Sequence, residues 1–196
     1  AVAAVYQYNL TTAWDSSSAE FEARYYEGRT DVKHLRTLAF KPDGTRMFVG
    51  GKDDPSTTGK IKQFTLTNPW DLSSGVSDAG LSDDLGGAEP NLRNAQFDPN
   101  GSILYIGGND NDNIHKFTLS TAWDVTSISS SFTTFDLNSG FSQMRGFIFV
   151  AAFTKLFVID DTATTSTVIE YSPSCTMITC SDPSDDGNVK GIIDAN

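Results

Sequence analysis

Two sets of side chains recur along this chain at spacings that could do chemistry. Arg36, Arg93 and Arg145 each follow an apolar residue (Leu35, Leu92, Met144) and lie 57 and then 52 residues apart. Three guanidiniums brought to one place would hold an anion or a carboxylate, because the planar fork engages two oxygens at once. The competing reading pairs each arginine with one of the repeated aspartates of a neighbouring repeat unit. The second set is Trp14-Asp15, Trp70-Asp71 and Trp123-Asp124, recurring by steps of 56 and 53 residues after Ser/Thr-rich turns. As structure, each Asp would bond backbone amides in an Asx turn and each Trp would cover the outer edge of a sheet. As function, Trp14, Trp70 and Trp123 would be platforms on which sugar rings stack.

Oxygen-rich pairs come next: Asp53 with Asp54, Asp110 with Asp112, and Asp160 with Asp161. The run GGNDNDN has the hard ligands calcium takes but lacks the spacing and closing Glu of an EF-hand loop. Turn chemistry accounts for the same residues. Asp182, Asp185, Asp186, Asn188 and Asp194 form a second acidic group, whose segment SDPSDDGNVKGIIDAN resembles one degenerate unit of a thrombospondin type 3 calcium repeat. Cys175 and Cys180 are separated by four residues with no His nearby, so a local disulfide in an oxidising compartment is the preferred reading over two free thiols. His34 and His115 fall at unrelated points of the repeat, and no G-x-S-x-G elbow, HExxH or P-loop is present. No resident cofactor is expected, calcium excepted.

The elements that must position these residues repeat as well. Leu35 to Gly51 reads LRTLAFKPDGTRMFVGG, two apolar runs about a Pro-Asp-Gly turn, which predicts a hairpin. It returns as LRNAQFDPNGSILYIGG from Leu92 and, without its turn glycine, as MRGFIFVAAFTKLFVID from Met144. A second block, VYQYNLTTAWDSS from Val5, returns from Ile61 and Ile114 and in part from Val168. Weaker apolar-polar stretches follow at 20–26, 76–85 and 131–137. With the hairpin strands labelled A and B, the second block C and the weak stretch D, the chain reads CD, ABCD, ABCD, ABC, about thirteen strands. A period near 50 residues with four strands per unit predicts β-propeller blades. The units span about 5–60, 61–113 and 114–171 within a repeat region 1–172, and 173–196 reads as an Asp/Pro-rich tail or linker.

The predicted fold is thus all-β and propeller-like, with about three four-stranded antiparallel blades. Three blades are too few to close a ring. The open faces call for further blades, a second copy of this chain or another partner. One copy's AB hairpin completing the other's CD pair is one such closure. Composition narrows the partners: 14 Lys plus Arg against 25 Asp plus Glu leave a net charge of -11, which disfavours nucleic acid and anionic membrane. No apolar run is long enough to span a membrane as a helix. The opening AVAAVYQY has no basic segment before its apolar residues and does not read as an intact signal peptide, so a processed chain or part of one is expected.

The blocks PDGTRMFVGG, QFTLTNPWDLS and KFTLSTAWDVT resemble a repeat of marine bacteriophage proteins and large bacterial surface proteins, over roughly Val5 to Tyr171. The resemblance implies a propeller-like structural or binding module in a virion appendage or an extracellular surface protein. The expectation is a non-enzymatic attachment module that binds protein, as a homo-oligomer or in a larger assembly, or a glycan. The alternatives are a lectin using the tryptophan platforms and a metal-dependent hydrolase built on the propeller axis. The third hairpin departs from the pattern, and its Phe153 suggests a contact surface.

Overall fold

The computed structural model describes residues 4–26, 32–53, 58–82, 85, 87–110, 112–137, 143–150, 153–161, 166–171 and 189–194. Every regular element in them is a strand, apart from two short 3-10 turns. β1 (Ala4–Leu10) and β2 (Ala19–Tyr26) form a two-stranded first sheet. β3 (His34–Phe40), β4 (Arg46–Asp53), β5 (Thr58–Asn68) and β6 (Asp71–Leu81) form the second. β7 (Leu92–Phe97), β8 (Ile103–Gly108), β9 (Ile114–Leu119) and β10 (Ile128–Phe135) form the third, and β11 (Met144–Val150), β12 (Lys155–Asp161), β13 (Ser166–Tyr171) and β14 (Val189–Asp194) the fourth. Each sheet is antiparallel with its strands in chain order. The fold is all-β: consecutive sheets stack as the blades of a partial, propeller-like ring.

One strand lies where the sequence reads as a tail. β14 pairs with β13, Val168 opposite Ile193 and Ile169 opposite Ile192, so the fourth sheet has all four strands. The β-branched Val189, Ile192 and Ile193 give this stretch the strand character that its acidic neighbours lack. The chain order is therefore CD, then ABCD three times. The sheets cut the repeat at strand A, whereas the sequence units begin at strand C.

The turn chemistry explains the hairpins. In Lys41-Pro42-Asp43-Gly44 the Gly44 amide donates to the Lys41 carbonyl at 2.8 Å, and Gly101 does the same to Asp98 at 3.0 Å. Proline presets the second position of such a turn, and Gly44 and Gly101, both at φ 72, supply the left-handed residue that follows.

The core lies between sheets. Val5 and Tyr25 of the first sheet meet Phe64 and Leu66 of the second. Phe48 and Ile61 of the second meet Phe97, Ile106 and Phe117 of the third. Tyr105 and Ile114 of the third meet Phe147, Phe149 and Val158 of the fourth. In the second and third sheets strands A and B carry apolar residues on both faces because each of these sheets has a neighbour on both sides. The innermost strands are sequential neighbours, β3 against β7 and β7 against β11. Polar side chains fix their spacing: Thr37 Oγ1 accepts the Ala95 amide at 3.0 Å, and Gln96 both donates to the Phe149 carbonyl (3.0 Å) and accepts its amide (2.8 Å).

Phe153 corrects the expectation of a contact surface at the third hairpin. It occupies the turn position of Gly44 and Gly101 with the same left-handed backbone, φ 65, and its ring is buried. There it stacks on Phe149 with centroids 5.1 Å apart and meets Tyr105 at 5.6 Å. One sheet earlier Trp123 contacts the equivalent residues, Phe97 of its own third sheet and Phe48 of the second. Phe153 thus fills from the turn the place that a tryptophan fills elsewhere.

Candidate anion-binding mouth

The three arginines occupy one structural position. In the ladder between β3 and β4, Leu35 faces Gly51 and Thr37 faces Gly50, leaving Arg36 as an extra residue. Arg93 is left over in the same way between Leu92 and Asn94, and Arg145 between Met144 and Gly146. Each is the additional residue of a β-bulge, a device that re-aims a side chain at the end of a strand. The bulge draws the backbones together: a β-carbon on Gly51 would run into the His34 carbonyl, and one on Gly108 into that of Asn91. In the fourth sheet Asp160 stands at that place and accepts the Gln143 amide at 2.9 Å.

Because β3, β7 and β11 are neighbours, the bulges bring the guanidiniums to one end of the innermost strands. Arg93 feels the result: burial lowers its pKa from the usual arginine value, and the charges of Arg36 and Arg145 lower it further, while Asp110 and Glu89 oppose the shift. The three differ in their partners. Arg145 donates from Nε and Nη2 to Asp161 Oδ2, both at 3.0 Å, and from Nη2 to Gln143 Oε1 at 2.6 Å. Arg93 donates from Nε to Asn109 Oδ1 at 3.0 Å. Arg36 Nη1 is buried with no hydrogen-bond partner among the described residues, as is the acceptor Asn91 Oδ1 at the same end. Among the described residues Arg145 is the one of the three that forms an ion pair with a repeated acid, Asp161 of its own sheet.

Trp14, Trp70 and Trp123 are not brought together. Each lies in the turn after its own strand C with a left-handed backbone, φ 65, 64 and 61. The Trp70 amide donates to the Gly44 carbonyl at 3.0 Å and that of Trp123 to Gly101 at 2.8 Å, and each indole lies directly over that glycine. The sequence reading of an outer-edge cover becomes a cover over the A–B turn. Asp15, Asp71 and Asp124 do serve Asx-type turns, accepting the amides of Ser17 (2.9 Å), Ser73 (2.8 Å) and Thr126 (3.0 Å).

Asp110 and Asp112 also have structural partners. Asp110 Oδ1 accepts Asn91 Nδ2 at 3.0 Å, and Asp112 Oδ1 accepts the Met144 amide at 2.7 Å, tying the loop after β8 to the start of β11. Among the described residues no three His, Cys, Asp or Glu side chains gather in a way that would hold a metal. Asp185, Asp186, Cys175 and Cys180 lie outside the described residues, as does Asp54. His34 is exposed, while His115 is buried on β9 with Nδ1 3.0 Å from Thr134 Oγ1, far from any second histidine in the repeat.

One set of residues escaped the sequence reading. Gln63 on β5 is buried and clamps the next sheet's Trp-Asp turn, donating to Asp124 Oδ1 at 2.9 Å and accepting the Val125 amide at 2.9 Å. Gln7 on β1 does the same one sheet earlier, accepting the Leu72 amide at 2.7 Å. The signal was the shared glutamine in VYQY and IKQF.

No protein-family model and no curated protein matches the chain. Among solved structures it is similar to a protein from Lactobacillus plantarum, with TM-score 0.56 and 15% identity over 88% of this chain and 46% of that one. It is also similar to Kuenenia stuttgartiensis hydrazine synthase, with TM-score 0.45 and 13% identity over 87% of this chain and 53% of that one. The chain thus spans about half the length of these structures, and the first likeness concerns the fold alone.

Proposed function

We propose that the chain is a non-enzymatic attachment module of a virion appendage or an extracellular surface protein, whose ligand-contacting end is the arginine mouth. One observation carries this reading: three equivalent bulges direct Arg36, Arg93 and Arg145 to one end of the innermost strands, and Arg36 keeps an unused buried donor there. A carboxylate suits that donor, and a hydroxyl beside it suits the unused acceptor of Asn91. A uronic acid carries both groups. The net charge of -11 disfavours long polyanions, so the ligand is a single acidic group or a sparsely charged glycan.

The test is titration of the full chain with glucuronate, with glucose as the neutral control. Binding should weaken with salt. Arg36→Gln should weaken it about tenfold or more, the size expected for losing one hydrogen bond to a charged group. Arg145→Gln should cost less, because Asp161 already engages that side chain. Binding that survives replacement of all three arginines, or no binding of glucuronate at millimolar concentration, sinks the reading.

A further inference from the structure

The first sheet is half a blade, and the rest of the molecule shows what the missing half looks like. In the second and third sheets the Trp-Asp turn after strand C receives the A–B turn of the same sheet, with the indole over the turn glycine and the Trp amide on its carbonyl. The first sheet has the same Trp-Asp turn: Trp14 at φ 65 and Asp15 accepting the Ser17 amide. It has no A–B hairpin. Trp14 is accordingly 100% exposed, although its backbone is already in the conformation that receives a glycine turn.

Three further features mark the same vacancy. Among the described residues β1 pairs with β2 alone, so its other edge presents unpaired backbone groups. Leu38, which faces the first sheet, is 49% exposed, whereas its equivalents Ala95 and Phe147 are 8% and 6% exposed under the A–B strands of the preceding sheet. Between the two sheets lies a cavity of about 350 Å³ lined by Ala4, Val5, Tyr6, Leu35, Leu38 and Val49, where a strand B would run.

We propose that this face is a receptor for one kind of partner: a β-hairpin of the repeat's own design, with an apolar strand, a Pro-Asp/Asn-Gly turn and a second apolar strand, supplied from outside these 196 residues. Its first strand is not the one that pairs. Its second strand adds to the edge of β1 as β4 adds to β5, and its turn glycine lies beneath Trp14. Glycine is required there, because a β-carbon on Gly44 or Gly101 would collide with the covering indole. Among its described residues a second copy of this chain has no unpaired hairpin to give. β3–β4, β7–β8 and β11–β12 are each joined to a strand C of their own sheet, β5, β9 and β13 in turn. The chemistry of the partner is further narrowed by Arg46, which reaches across to donate to the Trp123 carbonyl of the next sheet at 2.7 Å. A partner with arginine at that place would reach the Trp70 carbonyl.

The test joins a copy of LRTLAFKPDGTRMFVGG to the N-terminus of the full chain through a flexible linker, which raises its effective concentration at the site. Amide hydrogen exchange across Ala4–Leu10 should slow at least tenfold at alternate residues, and Trp14 emission should shift to the blue, read as the difference from Trp14→Phe. Both effects should vanish when the added turn glycine is valine. Unchanged β1 exchange with the glycine hairpin overturns the proposal, as does protection that valine leaves intact. Binding of a neutral glycan that Trp14→Ala abolishes, with β1 exchange indifferent to the hairpin, overturns it in favour of a sugar platform.

Discussion

At the scale of single residues, His115 shows how burial sets a titration. Its ring lies inside the third sheet against Phe132, and burial lowers its pKa from 6.5 to about 4. The folded chain therefore keeps it neutral at a pH where the unfolded chain protonates it. Stability due to this group is present above pH 6.5 and is lost as pH falls from 6.5 towards about 4, by ~3 kcal/mol at most. The turn aspartates act in a lower window. Asp43 is held low by Lys41 and then Thr45, and Asp71 chiefly by Ser73, so their contributions fade only below the usual carboxylate range. Urea unfolding at pH 7 and pH 5 should show a loss of stability that His115→Gln largely removes, and an equal loss in the variant would show that other groups carry it.

Hairpin and turn act as one device at the scale of elements. A left-handed backbone costs a tryptophan about 1–2 kcal/mol, so Trp70 and Trp123 hold it only because the glycine turn supplies a carbonyl and a surface for the indole. Gly101→Val should destabilise by about 2–4 kcal/mol, from the positive φ and the collision with Trp123. With Trp123→Ala already present the collision is gone, and the added cost should fall to about 1–2 kcal/mol. Equal costs in both backgrounds would mean that indole and turn are not coupled. The fourth sheet reaches the same packing by another route, with Phe153 in place of the pair. Lys116 stands where Gln7 and Gln63 clamp the next sheet, and the residues it would face lie beyond those described.

For the whole molecule, the decisive feature is that the stack has two ends. Tyr8 and Leu10 are exposed on the first sheet although their counterparts Phe64, Phe117, Leu66 and Leu119 are buried, and Ile148 and Ile159 are exposed on the fourth. Contiguous apolar patches beyond a few hundred Å² mark contact surfaces. The chain alone should therefore bind an apolar dye or show a concentration-dependent mass above 21.2 kDa in size exclusion with light scattering. Ile148→Lys with Ile159→Lys should reduce either signal. A dye-silent monomer would show both ends to be closed by the chain itself.

The sequence by itself determined the blade. Glycine turns, apolar runs and the recurring Trp-Asp and Arg positions are local preferences, so they repeat wherever the blade repeats and can be read without coordinates. That the three arginines share a position was legible in Leu35, Leu92 and Met144. That they meet was not, because it depends on β3, β7 and β11 lying side by side. Only tertiary structure decided that Phe153 replaces a tryptophan, that Gln63 spans two sheets and that the residues 189–194 form a strand. Each depends on a partner far along the chain. A contact between distant segments leaves no period in the sequence, since its free energy belongs to the pair and not to either stretch alone.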